Sequence, residues 1–101
     1  MGYGIDFLTE SFEDSELISE LQEELKDEYE GAINYAKLSA LAEDDPTKYM
    51  LTGMARDEYR HAKIIELILT QHNVNYQSEE TDQVKAQADM IMSNLSWYGG
   101  K

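Results

Sequence analysis

The sequence predicts an all-α protein: an antiparallel hairpin of two long helices followed by a shorter third helix. Three observations carry the prediction. Apolar residues recur at spacings of three and four along two long stretches, which is how one face of a helix reads in sequence. The only proline, Pro46, follows Glu43, Asp44 and Asp45, and an acidic cap with proline at the first helical position starts a helix. The residue before a proline is biased away from helical ψ, so one helix ends near Glu43 and the next begins near Pro46. A turn this short joins its helices only as antiparallel neighbours.

The first helix is expected over residues 15–43, behind an N-terminal arm at 1–12. Ser11 or Ser15 can cap its start, and Glu16 suits the positive end of the helix dipole. Its stripe reads Leu17, Leu21, Glu24, Glu28, Ala32, Tyr35, Ser39 and Ala42, flanked by Ile18, Leu25, Tyr29, Ala36 and Ala40. The second helix, over 46–72 with Asp45 as its cap, carries Leu51, Met54, Glu58, His61, Ile65, Ile68 and His72, flanked by Met50, Ile64 and Leu69. After the polar break NVNYQSEE, a third helix over 78–97 presents Val84, Ala88, Ile91 and Leu95, and residues 98–101 form a tail.

The chain has 101 residues, enough for one domain with a modest core. Two long helices and one short one cannot cover all their apolar faces. A second copy is therefore expected to supply the missing surface, in a homodimer or a ring of dimers. Eight Lys and Arg stand against 21 Asp and Glu, a net charge of −13. That balance argues against nucleic-acid backbones and anionic membranes as partners, since both need clustered cations. The chain has no cysteine, which excludes disulfides, thiolate metal sites and thiol catalysis. No apolar run reaches spanning length, and MGYGIDFLTE lacks the basic start of a signal peptide; a cytoplasmic protein is expected.

Each long helix interrupts its own apolar pattern with a carboxylate, Glu28 on the first and Glu58 on the second. His61 follows Glu58 by one turn and projects from the same face. An ionised carboxylate buried without a partner is costly, so such groups are paired or hold a metal. Two carboxylates and an imidazole suit Fe, Mn or Zn rather than a soft metal. The arithmetic is more specific still. A carboxylate-bridged dimetal site in a four-helix bundle takes one Glu from each of two helices and a Glu-x-x-His from each of the other two. Glu28 and Glu58-Tyr59-Arg60-His61 are half of that set, so a two-fold dimer would complete it.

In these residues the chain resembles the ferritin-like superfamily, nearest the rubrerythrin-like proteins and the half-size encapsulated ferritins. The resemblance runs from Leu17 to Leu69 and rests on DEYEGAINYAKLSALAED and ARDEYRHAKIIELI. A ligand Glu with a Tyr seven residues later matches Glu28 and Tyr35, and Glu-x-x-His-Ala matches Glu58, His61 and Ala62. The resemblance implies half of a ferritin-like four-helix bundle, holding a di-iron centre that Zn, Mn or Ca can also fill. It implies Glu28 as a terminal or bridging ligand, Glu58 as a bridging ligand, His61 as a terminal ligand and Tyr35 as their hydrogen-bond partner. The activity it implies is ferroxidase chemistry in iron handling. The chain has no rubredoxin-like cysteine module, and WYGGK does not match a Gly-Ser-Leu type of docking tail. An encapsulin shell, a partner of the encapsulated branch, is therefore not supported by the tail.

Plainer readings stand beside these. Glu24, one turn before Glu28, either recruits cations to the site or belongs to a solvated acidic face. His72 lies about 16 Å beyond His61 at standard rise, too far to share a metal, and suits the negative end of its helix. Tyr29, Tyr59, Met50, Met54 and Met90 are at core spacing. The whole chain also reads as an acidic helical interaction module, with its buried carboxylates setting register, or as a metal binder without turnover.

Overall fold

The computed structural model describes the backbone of residues 3–95 and the side chains of residues 15–95. The described residues form three helices and no strand: α1 (Tyr3–Leu41), α2 (Asp45–Gln71) and α3 (Glu79–Asn94). None is long and apolar enough to cross a membrane. α1 starts at Tyr3, not at residue 15, so the expected N-terminal arm is helical from Tyr3 onward. Between Ile5 and Glu30 there is neither glycine nor proline to stop a helix. A serine caps only where the backbone leaves helical geometry, and at Ser11 and Ser15 it does not. At 1.5 Å per residue α1 spans about 58 Å against about 40 Å for α2, so its first turns run past the hairpin.

The turn is fixed by its polar groups. The cap of α2 is Asp44 rather than Asp45: its Oδ1 accepts the Thr47 N–H at 2.8 Å, which holds its carboxyl below the usual range. Asp45 and Pro46 then fill the first turn, where a missing N–H costs no helical hydrogen bond. α1 has no basic residue in its last turn. Lys48 of α2 reaches across instead and donates to the Ser39 carbonyl at 2.9 Å, placing a cation at the negative end of α1. Beneath it the Ser39 and Thr52 hydroxyls share a buried hydrogen bond of 2.7 Å.

α2 closes with two backbone bonds, Val74 N–H to Leu69 C=O and Asn73 N–H to Thr70 C=O. Asn73 takes the left-handed φ of 65° that this closure requires, a conformation asparagine tolerates better than most residues. Val74 and Leu69 are both buried in the same cluster, so the cap carries its own apolar contact. Ser78 caps α3 through the Thr81 N–H. α3 ends at Asn94 rather than 97, and the Arg56 guanidinium donates to the Leu95 carbonyl at 3.2 Å. Residues 96–101, with the end of the expected third helix and the tail, lie outside the described residues.

The core is turned relative to the expected stripes. Among the described side chains, Leu25, Tyr29, Ala32, Ile33, Ala36 and Ser39 are the buried residues of α1, and Thr52, Ala55, Ala62, Ile65 and Leu69 those of α2. Residues expected at the flanks, Leu25, Tyr29, Ala36 and Leu69, are therefore central. The cause is α3, which packs one side of the hairpin through Val84, Ala88, Ile91 and Met92 and draws the covered arc towards itself. The other half of each stripe stays open. Leu17 on α1, and Met50, Met54 and Ile64 on α2, are all more than 40% exposed.

On the α3 side the three helices are tied by charge. The Tyr29 hydroxyl donates to Glu66 and the Tyr59 hydroxyl to Asp89, both at 2.6 Å. Lys63 and Lys85 each lie 3.2 Å from Asp89 and also pair with Glu66. Two cations thus balance two carboxylates. Burial, then the Asp89 carboxylate, pushes the Tyr59 phenol up to about 12. Burial works against the Asp89 anion, but hydrogen bonds from Tyr59, Lys85 and Lys63 outweigh it and hold its carboxyl below the usual range.

Candidate metal centre

The open side of the hairpin holds the three residues singled out by sequence. At about 100° per residue, Glu28 and Glu58 each lie about 40° round the helix from the buried alanine four residues on, Ala32 and Ala62, at the edge of the seam. Their helices cross close enough to bring them together nonetheless. Glu28, Glu58 and His61 each offer one ligand atom, and these atoms lie within 4.8 Å of one another. His61 Nδ1 is 3.5 Å from Glu28 Oε1, with the imidazole 47% exposed and the Glu28 side chain 15% exposed. The carboxylates therefore form the inner wall and the imidazole the rim.

Glu28 is the strained member. Its Oε1 is buried and has no hydrogen-bond partner; the imidazole is close to it but does not make a hydrogen bond. Burial first, then contact with the Glu58 and Glu24 carboxylates, pushes the Glu28 pKa up to about 8. The fold thus favours the protonated form of Glu28. Neighbouring carboxylates cannot all ionise without a counter-charge, and a divalent cation supplies one. The orphaned oxygen and the mixed O,N donor set fit such an ion. The imidazole favours Fe, Zn or Mn over Ca, which takes an all-oxygen shell. Three ligands from one chain leave room in the coordination shell for further donors.

Among the remaining candidates, Glu24 is solvent-exposed but touches Glu28, so it contributes to the negative potential at the rim. Tyr35 is half-buried against the Ala32–Ala36–Ala55–Met92 cluster. Among the described residues it makes no hydrogen bond to Glu28 or Glu58, because its ring is held by packing within the hairpin. His72 is the C-cap of α2, away from the three. Sequence reasoning missed Gly31. A Cβ there would lie 3.5 Å from Glu58 Oε1 and 3.6 Å from its Cδ and Cγ, so Glu58 rests on the bare backbone of α1. The signal was present in a glycine three residues after Glu28, on a neighbouring position of the same face. It also missed the bridging role of Lys63, Glu66, Lys85 and Asp89, whose spacings of three and four advertise pairs within a helix but not ties between helices. No described protein family, curated protein or solved structure matches this chain.

Proposed function

We propose that this chain is a ferritin-like di-iron protein that oxidises Fe(II) at a site completed by a second copy. The observation that carries the reading is the convergence of Glu28, Glu58 and His61 within 4.8 Å around a buried, unpartnered carboxylate oxygen. Exposed apolar residues on both long helices beside the three support a homodimer on that face: Leu17, Met50, Met54 and Ile64 would be covered together with the site. The two-fold would bring four carboxylates and two imidazoles to one place, the set that a bundle dimetal centre uses.

Two Fe(II) ions are the substrate, and O₂ or peroxide takes their electrons, leaving Fe(III). The chain's residues bind and orient. Glu58 offers a carboxylate oxygen from the inner wall, and carboxylates favour the harder ferric product. Glu28 releases its proton on binding, so ion uptake and proton release are coupled at that oxygen. His61 at the exposed rim is the first ligand that an arriving cation meets. Glu24 adds negative potential there, and the net charge of −13 raises the local cation concentration. The cytoplasm is the proposed location, and no encapsulin docking is proposed.

The test is aerobic Fe(II) oxidation followed by ferric absorbance. The wild-type chain should oxidise one iron per chain rapidly, and Glu58→Ala and His61→Ala should each lose that phase while keeping their helical circular dichroism. Bound iron that is not oxidised would leave a metal binder. No stoichiometric uptake of iron, zinc or manganese would leave the acidic interaction module in its place.

A further inference from the structure

Two glycines stand inside the long helices, Gly31 in α1 and Gly53 in α2. Glycine is the poorest helix former after proline, so each weakens its helix unless something needs the missing side chain. Neither backbone does: both residues sit at helical φ, outside the region that favours glycine. Their surroundings differ. A Cβ on Gly53 would meet nothing within 4 Å, whereas one on Gly31 would lie against the Oε1, Cδ and Cγ of Glu58.

From this contrast, and resting on the metal-centre reading above, we infer that Gly31 is a positioning residue for Glu58. It is a notch in α1 that lets the Glu58 carboxylate lie at the level of Glu28 and His61. At 3.5 Å a single methyl group would be an ordinary contact, so alanine fits the resting geometry. It would still put hydrocarbon against one side of the Glu58 carboxyl group and remove the room in which that group turns. A β-branched side chain reaches further than Cβ by one more bond and must displace the carboxylate. The notch therefore grades with side-chain size. Glycine leaves Glu58 free to move and alanine confines it. Valine expels it from the level of the other two ligands.

The experiment compares Gly31→Ala, Gly31→Val and Gly53→Ala with the wild-type chain, using Co(II) as the probe and its visible absorption as a report of coordination geometry. Both alanine variants should melt several degrees higher than wild type without metal, since each removes a helix-weakening glycine. Gly53→Ala should bind Co(II) as wild type does. Gly31→Ala should bind it severalfold more weakly, and Gly31→Val at least tenfold more weakly, with an altered spectrum. A metal-free crystal structure of Gly31→Val should show the Glu58 carboxylate moved out of reach of Glu28. Wild-type affinity and spectrum in Gly31→Val would overturn the inference. If wild-type protein binds no Co(II), the metal reading fails on its own account, and the crystal structure still decides: Glu58 unmoved in Gly31→Val overturns the positioning role, and Glu58 displaced upholds it.

Discussion

Replacing Glu28 by glutamine isolates the cost of burying that carboxyl in the metal-free chain. Glu28 has an ordinary value of 4.5 and is pushed up to about 8 in the fold, by burial first and by Glu58 and Glu24 after it. Between those two values the folded chain holds a proton that the unfolded chain has released. The native state then binds more protons, so stability falls as pH rises through that window. Below about 4.5 both states are protonated and nothing is lost; above about 8 both are ionised and the loss is complete. One unit of pKa difference corresponds to about 1.36 kcal/mol. The Glu28 side chain is 15% exposed, and solvent screening makes the realised loss smaller than the full product, on the order of 2–3 kcal/mol. Glutamine has the same shape, cannot ionise, and can donate its amide hydrogens to Glu24 or Glu58. Urea unfolding at fixed protein concentration, with a chelator present, measures both chains at pH 5 and pH 8. The two should agree within about 0.5 kcal/mol at pH 5, and the variant should be more stable by about 2 kcal/mol at pH 8. Equal separations at the two pH values would show that ionising Glu28 costs the fold nothing.

The same proton governs metal binding. Zn(II) must displace it, so affinity in calorimetric titrations should rise by about tenfold per pH unit between 6 and 8 and then level off; a flat profile would contradict the burial of Glu28. On the opposite side of the hairpin, Asp89→Ala removes the acceptor of Tyr59 and the partner of Lys63 and Lys85. Because these groups are only partly buried, the cost should be about 1–2 kcal/mol, with amide protection lost in α3 before α1 and α2. At the turn, Ser39→Ala leaves the Thr52 hydroxyl buried without its partner and should cost about 1–2 kcal/mol. Adding Thr52→Val should restore most of that stability, and a double variant weaker than the single one would argue against the pair.

The turn and the helix count are legible in the sequence because Pro46, its acidic neighbours and the polar break before Ser78 act locally. Caps are less so. Asp44 and Asp45 are chemically equivalent one residue apart, and only the path of the chain selects Asp44. The start of α1 at Tyr3 is not legible, because Ser11 and Ser15 offer capping chemistry that an uninterrupted helix ignores. Glu28, Glu58 and His61 could be picked out because a polar residue on an apolar stripe violates a one-dimensional pattern. Their position on the open side could not, since it depends on where α3 packs. The Tyr29–Glu66 and Tyr59–Asp89 bonds link residues 37 and 30 positions apart, so they follow from helix register and from no local signal. Gly31 needs the same knowledge: its role exists only once Glu58 lies across it.

Anaerobic Fe(II) titration read by native mass spectrometry tests directly whether two copies share a metal centre. The expected result is a dimer carrying two irons, filled at one iron per chain, with Glu58→Ala and His61→Ala remaining iron-free. A monomer that binds no iron, or iron retained at the same ratio in both variants, would contradict it.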